Sequence, residues 1–239
     1  MTSLSLIDAP SPNFDERRTP LDMLVLHYTG MESGQAALDR LCDPQAKVSA
    51  HYLIEEDGRI FRLVSEDLRA WHAGVSRWRE QEDLNSRSIG IEIVNGGHDF
   101  GLPVFPSAQI DAVIALCRDI LARHDVPQVN IVGHSDIAPE RKQDPGELFP
   151  WRLLSEAGIG LWPDERRQAA TDMALDAPQA TLILEAIGYA LKPDQPESLE
   201  ACVRAFQRRW RPDDISGLVD DETLRLLSAV AAKYASHSQ

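Results

Sequence analysis

Three short apolar runs, each leading into polar residues, constrain this 239-residue chain more than any other feature. LDMLVLHYT (21–29), SRSIGIEIVNGG (86–97) and QVNIVGH (128–134) have the length and β-branched content of strands. Helical periodicity lies between them. ESGQAALDRLCD (32–43) reads as a short amphipathic helix with Ser33 at its N-cap. From about Ser107 to His124, the residues Ile110, Val113, Ile114, Cys117, Ile120 and Leu121 make one apolar stripe. SAHYLIEEDGRIFRLV (49–64) reads as a hairpin turning at Asp57-Gly58. Strands alternating with helices predict an α/β sheet domain, ending near Trp162-Pro163.

The flanks are different. Residues 8–20 form a polar, Pro-rich lead-in, and 164–178 are polar and Ala-rich, the composition of a connector. Beyond it, TLILEAIGYAL, ESLEACVRAFQRRW and DDETLRLLSAVAAKY are three helical patterns. In the second, Leu199, Val203, Phe206 and Trp210 fall on one face. The predicted organisation is therefore 1–163, a connector at 164–178, and a small three-helix domain at 179–239. About 60 residues bury too little surface to be comfortable alone, so this bundle is expected to lean on its neighbour.

Composition narrows the function classes. A formal charge of -14, from 24 basic and 38 acidic residues, argues against a nucleic-acid binder, which needs a basic face. No stretch approaches the ~20 apolar residues of a membrane span, so membrane insertion is not expected. The N-terminus, MTSLSLIDAPSPNF, has neither the basic nor the apolar region of an export signal, which points to the cytoplasm. An unrecognised export route or a missing leader leaves the periplasm as the alternative. Cys42, Cys117 and Cys202 are scattered, with no C-x-x-C pair, and read as small buried hydrophobes.

The chemistry-bearing residues gather at strand ends. His27 and His134 each close a predicted strand, where open α/β sheets place functional side chains, and Asp144 follows in a Pro-Gly turn. Two imidazoles and a carboxylate suit a hydrolytic zinc site, which leaves its fourth position for water. The same three residues also suit strand-end caps and a self-satisfied turn, and no short-range pattern such as H-E-x-x-H decides between them. Glu92 projects from its strand opposite Ile89, Ile91 and Ile93. On a site-facing surface it would exchange a proton with the attacking water and the leaving amine. Lys142, two residues before Asp144, could aim an ammonium at an oxyanion. His51 and His72 sit beside aromatic residues, and either competes as a ligand on composition alone.

LVLHYTG, SAHYLI, AWHAGVS, NSRSIGIEIVN, VGHSDIAPERKQDPG and PW occur in the order seen in zinc-dependent N-acetylmuramoyl-L-alanine amidases of the type 2 amidase family. The resemblance covers residues ~21–163. It implies a mixed central β-sheet flanked by helices and one Zn2+ per chain held by His27, His134 and Asp144. It also implies Glu92 as general base and acid, and Lys142 at the oxyanion. His51, Trp71, Arg87 and Asn95 correspond to pocket-lining motif positions and are expected substrate contacts. The implied partners are peptidoglycan fragments (muropeptides) or the wall polymer. The implied reaction is hydrolysis of the muramoyl-L-alanine amide in wall turnover, with a non-catalytic muropeptide-recognition module as the competing reading. VRAFQRRWRPDDISGLVDDETLRLL resembles a peptidoglycan-binding-like module through its F-Q…G…D…T…L core, with the usual DGIVG-like turn altered to SGLVDDET.

Overall fold

The computed structural model describes residues 4–163, 177–192 and 194–237. The chain opens with β1 (Leu6–Asp8) and β2 (Phe14–Glu16), then β3 (Met23–Tyr28) and α1 (Gly34–Cys42). Next come β4 (Tyr52–Ile54), β5 (Ile60–Arg62), β6 (Leu68–Ala70), α2 (Leu84–Arg87) and β7 (Ser88–Ile93). α3 (Ser107–Arg123) leads to β8 (Ile131–Gly133), α4 (His134–Ile137) and α5 (Trp151–Glu156). The C-terminal helices are α6 (Ala177–Ile187), α7 (Pro196–Trp210) and α8 (Asp221–Ala235).

Six strands form one sheet in the order β1-β5-β4-β7-β3-β8. Only β4 and β5 run antiparallel within it, so the sheet is mixed. That pair is the expected hairpin. Gly58 turns it at φ +87°, and a Cβ there would lie 2.8 Å from the Ala108 carbonyl, so glycine serves both the turn and the close approach of α3. α1 begins as its sequence predicts, with the Ser33 hydroxyl accepting from the Ala36 N–H at 3.2 Å.

Alternation along the strands sorts side chains to two faces. Leu24, Leu26, Ile89, Ile91 and Ile93 pack against the Ile110, Val113, Leu116 and Ile120 stripe of α3. On the opposite face α1 covers one end, where Ala37 and Leu41 meet Leu53 and Phe61. The C-terminal helices cover the other end: Leu184, Val203, Phe206 and Leu227 join Met23, Val25, Trp78 and Val132 in one continuous core. Between these two apolar patches the face turns polar.

The lead-in carries more structure than its composition suggests. Just before it and at its first residue, β1 extends the sheet beside β5, and within it β2 pairs with β6 in a separate two-stranded ribbon. Both are short and largely exposed, so no apolar pattern marks them. Arg17 folds inward, donating to the carbonyls of Glu66, Ser86 and Ser88 at 2.7–2.9 Å.

The three expected C-terminal helices are present, and residues 164–176 of the expected connector lie outside the described residues. In the F-Q…G…T pattern, buried Gln207 accepts from the Gly217 N–H at 2.7 Å and donates to Leu218 O and Thr223 Oγ1 at 3.0 Å. The pattern thus ties the α7–α8 turn together. Cys117 and Cys202 are buried, Cys42 is half-buried, and all three are free thiols.

Candidate metal centre and pocket

His27 is the next-to-last residue of β3 and His134 opens α4 directly after β8, so neighbouring parallel strands β3 and β8 deliver two imidazoles to the same end of the sheet. Asp144 returns to them because its carbonyl accepts from the Ser135 N–H at 2.9 Å, closing the intervening loop. All three side chains are buried. His27 Nδ1, His134 Nδ1 and Asp144 Oδ2 approach one another at 2.9–3.0 Å.

The far side of each ring decides what faces inward. His134 Nε2 lies 3.0 Å from the Ala73 carbonyl, which can only accept, so that nitrogen carries the proton. His27 Nε2 lies 3.0 Å from His72 Nδ1, and His72 Nε2 lies 3.2 Å from Ser88 Oγ. Ser88 donates its one proton to Leu84 O at 2.5 Å, so it accepts from His72, which in turn accepts from His27. Both Nδ1 lone pairs therefore point at the Asp144 oxygen.

Charge states agree with this arrangement. Burial, with His134 beside it, pushes His27 down to about 4, so the ring is neutral at pH 7. Three electron-pair donors at this spacing repel one another unless a cation lies among them. Two neutral imidazoles and a carboxylate are a donor set that suits zinc, so the residues fit a metal ion.

The polar strip of the sheet continues into the site. Glu92 is the register partner of His27 across β3 and β7 and leaves the same face. Its Oε2 is buried with no hydrogen-bond partner. Burial, reinforced by Asp144, pushes its carboxyl well above the ordinary value. Lys142 is half-buried beside it, and both line a cavity of about 380 Å³ that also holds the three ligand candidates.

Of the four expected substrate contacts, only Trp71 lines this cavity, and its indole N–H is buried without a partner. His51 stands behind the wall: its Nδ1 accepts from the Gly90 N–H, while its Nε2 meets Arg17 and the Leu68 carbonyl. Arg87 lies at the opposite end of β7, paired with Asp22. Asn95 is buried in the following loop, donating to Pro103 O at 2.7 Å and accepting from the Gly97 N–H at 2.9 Å. Composition treats all four alike, and the paths of the segments flanking β4, β6 and β7 separate them.

His72, which competes as a ligand on composition alone, instead braces Nε2 of His27. One signal was present in the apolar run itself. Gly90 interrupts Ile89-Gly90-Ile91 because a Cβ there would collide with the His72 ring. Arg141 donates to the carbonyls of Ala73 and Val75 and so pins the segment that His134 leans on.

The family profile for N-acetylmuramoyl-L-alanine amidase matches residues 17–147. The Escherichia coli amidase AmiD is 40% identical over 233 residues, covering 90% of this chain and 83% of AmiD. Haemophilus influenzae 1,6-anhydro-N-acetylmuramyl-L-alanine amidase AmpD is 38% identical over 166 residues, covering 61% of this chain and 88% of AmpD. The solved structure of AmiD with anhydro-N-acetylmuramic acid-L-Ala-D-gamma-Glu-L-Lys superposes with a TM-score of 0.82, covering 90% of each chain at 40% identity. Pseudomonas aeruginosa AmpDh3 with anhydromuramic pentapeptide gives 0.83 at 38% identity, covering 90% of this chain and 92% of AmpDh3. Family profile, sequence and fold agree: this chain belongs to the N-acetylmuramoyl-L-alanine amidase family.

Proposed function

We propose that the chain hydrolyses the amide between the lactyl group of N-acetylmuramic acid, or its 1,6-anhydro form, and the L-alanine of the stem peptide. The observation that carries the reading is the convergence of His27 Nδ1, His134 Nδ1 and Asp144 Oδ2 with the unpartnered carboxyl of Glu92 beside them. Those three atoms would hold one zinc ion, which when bound supplies Lewis-acid polarisation of water and carbonyl. Glu92 takes a proton from the attacking water and delivers it to the alanine nitrogen as the C–N bond breaks. A carboxyl that burial holds well above its ordinary pKa keeps a proton readily, which suits its delivery to the leaving nitrogen. Lys142 faces the carbonyl oxygen and stabilises its negative charge. Trp71 offers its free N–H to the substrate.

We read residues 1–163 as the catalytic unit and 179–239 as a three-helix module docked on it. The substrate is placed among soluble muropeptides released in peptidoglycan recycling, and the compartment is proposed to be the cytoplasm. Three unpaired cysteines support a reducing location. Among the described residues no helix is long and apolar enough to cross a membrane.

The test is metal analysis of the purified full chain, paired with mass spectrometry of soluble anhydro-muropeptides and of intact sacculi after incubation. One zinc per chain and release of L-Ala peptides from the soluble substrate, lost on chelation, support the reading. Muropeptide binding without turnover after zinc addition identifies a recognition module instead. Cell fractionation decides between cytoplasm and periplasm.

A further inference from the structure

Segment 134–147 carries two ligand candidates and Lys142, yet only α4 within it is regular secondary structure. Much of what holds it comes from the C-terminal helices. Asp136, fully buried two residues after His134, accepts from Arg209 Nη1 at 2.8 Å and from Tyr189 Oη at 2.7 Å. Its Oδ2 also accepts from the Gly133 N–H at 2.8 Å, at the junction where β8 becomes α4. Arg209 donates with Nη2 to the Ile131 carbonyl of β8 at 3.1 Å, so one guanidinium grips both sides of that junction. The guanidinium is stacked 4.0 Å over the Trp151 ring and 4.5 Å over Trp210, which leaves it little freedom to turn.

The grip continues along the segment. Lys192 pairs with Glu140. Arg208 approaches Glu147 at 3.4 Å, and Glu147 also meets His98, which contacts Tyr28 in the pocket wall. Asp136, Glu140 and Glu147 are thus each matched by a cation from the C-terminal part of the chain.

We propose that Arg209 is a positioning residue for the metal centre. Through Asp136 it fixes the β8–α4 junction and hence the direction of the His134 ring, and the C-terminal module works as a brace of the catalytic segment. This rests on His134 being a metal ligand. It also gives the Arg-rich face of α7 an intramolecular role, with Arg208 and Arg209 turned toward the catalytic unit and Gln207 toward its own turn.

The test uses the full chain, with Zn2+ affinity measured by chelator competition and the visible d–d spectrum of the Co2+-loaded protein reporting ligand geometry. Arg209→Met is compared with Arg209→Lys and with Leu227→Ala, a truncation in α8 of the same apolar core that removes no hydrogen bond or ion pair to segment 134–147. The proposal expects Arg209→Met to weaken metal binding by about tenfold or more and to alter the Co2+ spectrum. Arg209→Lys should recover part of both. Leu227→Ala should lower the melting temperature while leaving affinity and spectrum as in the wild type. Wild-type affinity and spectrum in folded Arg209→Met would overturn it. Should Arg209→Met not fold, the double variant Arg208→Gln/Lys192→Gln, which removes the cations facing Glu147 and Glu140, decides: weaker metal binding supports the brace, and unchanged binding overturns it. A wild-type chain that binds neither ion would reject the metal centre itself, and the proposal with it.

Discussion

His27 and Glu92 are register partners on adjacent parallel strands, so the first ligand candidate and the proposed proton carrier leave the sheet side by side. That relationship follows from alternation. Ile89, Ile91 and Ile93 must face α3, which forces Ser88, Gly90 and Glu92 to the other face. There Gly90 makes room for His72, Ser88 accepts from it, and Glu92 opens to the pocket.

Glu92→Gln should separate activity from stability. Losing the proton carrier is expected to lower kcat by about 10²–10⁴-fold with zinc content unchanged. A carboxyl whose folded pKa is raised contributes stability only at low pH, and that contribution is lost as pH rises through the folded value. At pH 7 the metal-free Gln variant should therefore be more stable, by about 1 kcal/mol, in urea unfolding.

His72→Ala removes the acceptor that fixes the His27 tautomer. Zinc affinity, measured by chelator competition, should fall about 10–100-fold. The ring also borders the cavity, so saturating zinc should restore most of kcat while KM reports the lost wall contact.

The substrate contacts divide. Trp71→Ala should raise KM about tenfold, equivalent to about 1.4 kcal/mol of lost binding. Arg87→Ala breaks a partly exposed pair with Asp22 at the far end of β7. It should cost about 1 kcal/mol of stability or less and leave KM unchanged.

Acid should weaken the metal-free fold. Burial, then His134, lowers His27 to about 4, while burial, then Arg17, lowers His51 to about 3. For groups with depressed values the unfolded chain takes up protons first as pH falls below ~6.5, so stability declines from there. The decline should continue to about pH 4 for His27 and about pH 3 for His51, at about 1.4 kcal/mol per pH unit for each. Urea unfolding of metal-free Glu92→Gln at pH 7 and pH 5.5 checks the slope, because Glu92 contributes in the opposite direction as pH falls. Saturating zinc should steepen it further, because bound metal requires neutral imidazoles.

Legibility in the sequence followed the strength of local patterning. Ile89-Gly90-Ile91-Glu92-Ile93 announces a strand with one apolar face, and the Ser107–His124 stripe announces its covering helix. The edge strands β1 and β2 had no such pattern, since three-residue exposed strands leave no period to read. His27, His134 and Asp144 were legible as strand-end and turn residues, and family motifs singled them out from other histidines. Asp136 and Arg209 could not be paired from sequence: they lie 73 positions apart, and each looked like one charge among many. His51 and Asn95 sat in the right motifs yet serve the wall behind the pocket, because which side a residue faces depends on register and loop path.

Hydrolysis of a soluble anhydro-muropeptide in H₂¹⁸O, followed by mass spectrometry of both products, tests the central claim most directly. The account predicts one ¹⁸O in the carboxylate of the released anhydro-muramic acid, none in the L-alanyl peptide, and no reaction after chelation until zinc is restored. An intact substrate with zinc bound, or label in the peptide, would contradict it.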